Sequence, residues 1–520
     1  MRSTFTGLEI SKRSLFTQQA ALQTTGHNIS NVNTRGFSRQ VVNMVASSPL
    51  EAYGMMRSTV PGQMGQGVEF DHINRIRDQF LDHQYYNENK GLGEWTTKKL
   101  ALEKLENIVN EPSDSGVRQV IQNFWNSWQE LSKAPENLSA RAVVKESALA
   151  MTEAFNHTAT QLKDFEKDLT DNINVKAKQV DSLLGQVANL NKEIYRIEGL
   201  GDNANDLRDQ RDVLMDDMSK IVNIEMVEDS TGYNITMGGV ELLNSADTEP
   251  AVEVTGDFLV TSVQGGTLNS GEVYGLVYSR DTLVKSYRDQ LDNMVKTFVG
   301  GDIKVTLPAG SVIPRGVVVD GVSGTLTKDT EVTVKGFNQL HQLGYTGEKT
   351  LSAGGVFFTM KPGATEINAE SITVNPAIVA DVGKIASSMR TYMDGGVEKV
   401  VSGNNSLALL MAGMKDMKFD YDPGNTGTAV LNAGTLDEYL RSVVGSIGVL
   451  SQEAKRQTVN QDLLVQQIES YRQAVSGVSL DEEMANLIKF QHAYNAAARA
   501  MTTYDQVLDK VINSMGVVGR

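Results

Sequence analysis

The sequence predicts an α+β multidomain protein, elongated, with paired N- and C-terminal helices in coiled-coil fashion and a long-helix bundle carrying one or more inserted β-rich domains. Three observations carry this expectation. Apolar residues recur at heptad spacing near both ends of the 520-residue chain. No proline lies between Pro135 and Pro250, so a long helix can run there unbroken. Residues 223–385 hold 21 of the 46 glycines and alternate short β-branched runs with turns.

The N-terminal row is Leu8, Leu15, Leu22 and Ile29, one residue in seven, flanked by Phe5 and Phe16. This helix should stop between Gly26 and Ser30, where Asn28, Ser30, Asn31 and Asn33 compete for the backbone. Gly26 and Gly36 then read as helix-end and turn glycines. The stretch GQMGQG (62–67) lacks the lysine of a phosphate loop and reads as a turn entering the strand GVEFDHI. FLDHQYYNENKGLGEWTTKKLALEKLENIV and VRQVIQNFWNSWQELS read as helices, with Trp95, Trp125 and Trp128 as packing anchors.

From residue 180 the apolar positions Val180, Leu183, Val187, Leu190, Ile194 and Ile197 form another heptad row. A shorter helix follows with Leu207, Leu214, Met218 and Ile221 on its inner face. Its carboxylates Asp212, Asp216 and Asp217 are assigned to solvent, the default for a charged helix face. The middle reads as strand and turn, interrupted by one helix near 282–299.

Two helices close the chain. The second opens with Ser479 and Glu482 at capping-box spacing. Its row is Leu480, Met484, Leu487, Gln491, Tyr494, Ala498, Met501, Asp505, Leu508, Ile512 and Met515, apolar except at Gln491 and Asp505. Such a rod, about 54 Å long at ~1.5 Å per residue, cannot bury its stripe in itself. The N-terminal row offers a partner, and the ends of a lone chain should order only on assembly. The expected domains are 1–35 and 479–520 as axial helices, 36–222 and 386–478 as the helical bundle, and 223–385 as the β-rich part, with 302–336 as a possible insertion.

Composition narrows the function. A net charge of −16 argues against nucleic-acid binding, and the absence of cysteine removes disulfides and thiolate zinc sites. His27, His72, His83, His157, His341 and His492 are scattered, with no metal-ligand spacing. No catalytic centre, cofactor or metal is expected. The N-terminus lacks the compact apolar block of a cleaved signal, and no run reaches the ~20 apolar residues of a membrane span, so no membrane insertion is expected.

The stretch GHNISNVNTRGFSRQ resembles the N-terminal signature of the bacterial flagellar axial proteins, the rod, hook and hook-associated family. The residues that carry it are Asn28, Ile29, Asn31, Asn33, Thr34, Gly36 and Phe37, with Gly26-His27 in place of the usual Ala-Asn. Ser38-Arg39-Gln40, ANDLRDQRDVLMDDMSKIVNIEM (204–226) and FNQLHQLGYT (337–346) are similar to the hook-associated branch. SLDEEMANLIKFQHAYNAAARAM (479–501) resembles the family's C-terminal signature.

The resemblance implies a non-enzymatic subunit at the hook–filament junction, exported through the flagellar type III channel and assembled by pairing of its terminal helices. Its implied partners are further copies of itself in a ring, the hook protein, a second junction protein with the filament, and an export chaperone on the C-terminal helix. Another axial subunit of hook or distal rod, or a secreted enzyme or adhesin borrowing axial-type ends, are the alternatives.

Overall fold

The computed structural model describes residues 5–48, 65–109, 116–247, 249–347, 351–424, 426–427 and 429–514. Met515 of the C-terminal row and residues 62–64 of the GQMGQG stretch lie outside them. The helices, in chain order, are α1 (Thr6–Ser30), α2 (Gln79–Val109), α3 (Val117–Lys133), α4 (Leu138–Glu198), α5 (Asn205–Ile221), α6 (Gly256–Gln264), α7 (Glu272–Tyr278), α8 (Lys285–Gly300), α9 (Gly336–Gln342), α10 (Pro376–Ala380), α11 (Ser406–Gly413), α12 (Leu436–Ser476) and α13 (Leu480–Asp509). The proline-free run became one 61-residue helix, α4.

Two compact units form. The first comprises Met1–Trp95, Asn174–Tyr274 and Thr458–Arg520; the second comprises Thr96–Ile173 and Gly275–Gln457. The β-rich middle is therefore shared, with 223–274 in the first unit and 275–385 in the second.

In the first unit β1 (Gln40–Ala46) and β2 (Val68–Arg75) make an antiparallel hairpin, bulged between Val42 and Met44, against which α1 packs. A three-stranded antiparallel sheet, β3 (Glu225–Glu228), β4 (Tyr233–Met237) and β5 (Val240–Leu243), closes over the C-terminal half of α4. Its core joins Val180, Leu184 and Val187 of α4 to Met215 and Met218 of α5 and Ile235, Met237 and Leu242 of the sheet, all fully buried. Leu190 and Ile197 of the α4 row are only half-buried.

In the second unit an aromatic cluster is the centre. Phe124, Trp125 and Trp128 recur at three- and four-residue steps on the buried face of α3 and meet Phe298, Phe337, Phe357 and Phe358 at ring-centroid distances of 5.4–6.4 Å. Trp125 and Trp128 are packing anchors, as their type and spacing suggest. The run 302–336 forms one hairpin, β6 (Asp302–Leu307) with β7 (Thr330–Lys335).

The middle holds more helix than the sequence suggests. α6 leaves little trace in the sequence because it is short and glycine-flanked, and its start is set by a single cap, the Thr255 hydroxyl accepting from the Phe258 N–H. Gly26 does not end its helix: α1 continues to Ser30, whose hydroxyl donates to the Gly26 carbonyl, and the chain leaves the helix at Asn31.

Candidate functional site

The two ends of the chain meet inside the first unit. A Cβ on Gly7 would lie 2.4 Å from the Tyr504 ring, so that ring rests on the glycine. At the other end of α1, Asn28 Nδ2 donates to Glu483 Oε2 at 3.0 Å. The spacing of 21 residues from Gly7 to Asn28 matches that from Glu483 to Tyr504, so α1 and α13 run antiparallel and in step over ~31 Å.

Small and polar residues, not leucines, face inward on α1: Ser11, Thr17, Gln18, Ala21, Thr24, Thr25 and Asn28 are buried. Leu8, Leu15, Leu22 and Ile29 sit half-buried along one edge of that face, and Phe5 and Phe16 are exposed. On α13 the buried residues are Glu483 and Ala497. Leu487, Tyr494, Ala498, Met501 and Leu508 are half-buried, while Leu480, Met484 and Ile512 are about half or more exposed. The pair thus leaves a long apolar row open. It also forms within one chain, because each end supplies the neighbour that a lone amphipathic helix lacks.

The signature turn is built to hold this pair. Asn28 copies a strand: its Oδ1 accepts from the Gln40 N–H at 3.0 Å and its Nδ2 donates to the Gln40 carbonyl at 2.9 Å. The Asn31 N–H closes the helix on the His27 carbonyl at 3.1 Å, and its Oδ1 accepts from the Thr34 hydroxyl. Gly36 takes φ +78°, and a Cβ there would meet Val213 Cγ2 at 2.1 Å, so only glycine fits. Phe37 stands edge-on to His27, with centroids 5.3 Å apart. Asn33 and Thr34 face outward.

Below the turn lies a buried network of arginines and carboxylates that the sequence does not announce. Asp209, Asp212 and Asp216 of α5 are 5%, 2% and 9% exposed, and Arg211 is fully buried. The solvent assignment of Asp212 and Asp216 was therefore wrong. Helical spacing shows that these groups share a face, but their partners arrive from distant stretches. Arg75, at the end of β2, reaches Asp209 at 3.0 Å and Asp212 at 2.6 Å. Arg77 forks onto Asp82 at 2.7 and 2.9 Å and touches Asp212 at 3.3 Å. Arg472 of α12 joins Asp82 at 3.0 Å to Asp216 at 3.1 Å and lies 4.4 Å over the Tyr85 ring.

Arg39 ties the network to the paired ends. Its Nε contacts Glu483 and its Nη1 contacts Glu482, both at 2.8 Å, while its N–H donates to the Ser476 carbonyl at 2.9 Å. This displaces the expected capping box. Ser479 makes no side-chain cap, and the Glu482 and Glu483 carboxylates turn to Arg39.

The electrostatics follow burial and partner count. Burial pushes the Asp212 carboxyl up, but Arg77 and Arg75 outweigh it and hold the group below the usual carboxylate range. Burial pushes Asp216 up to about 6, against the pull of Arg472 and Arg77. Tyr86, packed among Asp212, Asp216 and Asp82, is raised well above a normal phenol by burial first and those charges second. Among the described residues no group of three His, Asp or Glu could hold a metal ion. The arrangement clamps five elements together.

A family model described as "Flagellar hook-associated protein FlgK helical domain" matches residues 102–301, and one described as "Flagellar basal body rod FlgEFG protein C-terminal" matches 470–515. The chain is 35% identical over 530 residues to flagellar hook-associated protein 1 of Bacillus subtilis (strain 168), covering 100% of both chains. It is 26% identical over 555 residues to the protein of that name from Salmonella typhimurium, covering 95% of this chain and 97% of the other. A solved structure of the flagellar hook junction protein FlgK from Burkholderia pseudomallei aligns with TM-score 0.47 and 15% identity, over 77% of this chain and 100% of that one.

Proposed function

The chain belongs to the flagellar hook-associated protein 1 family, and from that membership we propose a structural subunit of the bacterial flagellum, outside the cell, joining hook to filament. It is not an enzyme; its work is mechanical. The observation that carries the reading is the antiparallel α1–α13 pair, clamped at its foot by Asn28, Arg39 and Glu483 and open along an apolar edge.

An open row of Leu8, Leu15, Leu22 and Leu487, Tyr494, Met501, Leu508 is unfavourable in water at ~25 cal/mol per Å² of apolar surface. Stacking copies side by side removes it from water. We propose that this row is the contact between copies in a ring and with the hook protein below, and that the second junction protein and filament follow above. Before export through the type III channel, an export chaperone covers the same α13 face at Leu480, Met484, Leu487, Tyr494, Ala498, Met501 and Leu508, and Ile512 just beyond it. The signature residues Asn28, Ile29, Asn31, Asn33, Thr34, Gly36 and Phe37 set the angle between the pair and the rest of its unit.

Amide hydrogen exchange on the purified chain, with and without isolated hook ends, tests this. The reading expects protection of 5–30 and 480–513 to rise on hook binding. Termini that exchange identically with and without hooks would overturn it.

A further inference from the structure

The buried network carries one carboxylate too many. Arg75, Arg77 and Arg472 face Asp82, Asp209, Asp212 and Asp216. Asp82 takes the fork of Arg77 and a contact from Arg472. Asp212 takes Arg75, Arg77 and the Tyr233 hydroxyl at 2.6 Å. Asp209 takes Arg75 and the Ser38 N–H at 2.8 Å. Among the described residues Asp216 has a single charged contact, Arg472 Nη2 on its Oδ2 at 3.1 Å, and its Oδ1 has no hydrogen-bond partner.

That carboxylate is nearly buried yet borders open space. Asp216 lines a groove of about 950 Å³ between the signature turn and the α12–α13 connection at Gly477–Ser479. Every packed element brings charge or a phenol toward it. The turn brings Arg35, itself paired to Asp217 at 2.6 Å. The β2–α2 link brings Arg77, and α2 brings Asp82, Tyr85 and Tyr86. Its own helix adds Asp212 and Asp217, α12 adds Arg472 and Glu469, and α13 adds Glu482 at the rim. The surplus negative charge thus rests on Asp216, whose unpartnered Oδ1 is buried beside an open groove.

We infer that Asp216 is a proton-binding site that sets how firmly α12 and the α12–α13 connection are held on α2 and α5. Uptake of one proton cancels the surplus charge and tightens the clamp, whereas its loss loosens it. The inference deepens the assembly reading and rests on it only for its consequence: near neutral pH the foot of α13 is held least firmly, ready to reseat when copies join.

The sign follows from linkage. The native state binds this proton more tightly than the unfolded chain does, because burial raises the group from 3.8 to about 6. Its contribution is complete below the lower value and is lost as pH rises through the upper one. A difference of about two pH units corresponds to roughly a hundredfold change in the local opening equilibrium.

The test is hydrogen exchange of the full chain over peptides spanning 470–490, corrected for intrinsic rates, from about pH 5 to about pH 7.5. Wild type should open roughly tenfold more often at the upper end, because the window begins about one pH unit below the native value. Asp216→Asn, or Asp216→Ser if the first variant does not fold, should stay closed and flat across the range. The outward-facing Asp217→Asn should follow wild type. A flat wild-type profile, or a neutral variant that keeps the wild-type slope, overturns the inference. Hook attachment is scored separately: the expected profile in a chain that binds no hooks leaves the proton site standing and removes the assembly reading.

Discussion

Asn28 and Glu483, 455 positions apart in the chain, share a hydrogen bond of 3.0 Å in which both side chains are almost completely buried. The same asparagine amide holds both backbone groups of Gln40, and the same glutamate carboxylate receives Arg39 at 2.8 Å. One side chain of the signature turn therefore fixes the end of α1, the start of β1 and the first turn of α13.

Replacing Asn28 by Ala should be far more disruptive than its size suggests. It strands the Gln40 N–H and carbonyl and removes a donor from a buried carboxylate, at about 1–3 kcal/mol per unsatisfied group. Exchange protection across 480–509 should collapse while the second unit, monitored by the fluorescence of Trp125 and Trp128, melts unchanged. Unaltered protection would show that Asn28 is not the fastening.

The two turn-region glycines should behave oppositely. Gly36→Ala forces a Cβ into Val213 at φ +78°, costing about 1–3 kcal/mol in backbone strain alone. Gly26→Ala meets nothing within 4 Å and sits inside a helix, so it should stabilise by up to ~1 kcal/mol. Thermal unfolding of both variants decides, and equal effects would contradict the geometry.

Leu487→Asp and Leu508→Asp place a charge in a half-buried row that the proposed function assigns to neighbouring copies. Both should keep the circular dichroism and melting of the isolated chain close to wild type, yet abolish incorporation at hook ends. Normal incorporation would remove this row from the assembly contact.

Acid should act on the second unit in the direction opposite to Asp216. His341 is fully buried. Its Nδ1–H donates to the Gly355 carbonyl at 2.7 Å, its Nε2 accepts from the Ala386 N–H at 2.9 Å, and burial pushes its pKa down to about 4 from 6.5. The unfolded chain binds this proton more tightly, so stability is complete above about pH 6.5 and falls as pH drops toward about 4, by ~3 kcal/mol in all. Melting of the Trp125–Trp128 core against pH measures this, and His341→Gln should remove the slope.

Much of the fold was legible in the sequence because periodicity is local. The row on α4, the aromatic face of α3 and the terminal helices all follow from spacing within one element. The motif positions Asn28, Asn31 and Gly36 pointed to a turn, and a turn with a glycine-only φ is there. The clamp was not legible. The Asp209, Asp212 and Asp216 face of α5 has the composition of a solvated surface, and its arginines come from residues 75, 77 and 472. The Ser479–Glu482 spacing gave a cap that Arg39, more than 400 residues upstream, overrides.

By itself the sequence determined the long helices, where the first of them turns, and that both ends carry apolar rows with a family signature beside each. Those properties depend on side-chain order along a few turns of chain, where 3.6-residue periodicity, capping and glycine conformation act. Only the tertiary structure decided which face of each helix is buried, that the leucine rows stay half open, and that four aspartates meet three arginines beneath the signature turn. The physical reason is that burial and ion pairing belong to the partner as much as to the residue. A carboxylate costs several kcal/mol to desolvate alone and is tolerated inside only where guanidiniums from elsewhere in the chain converge on it.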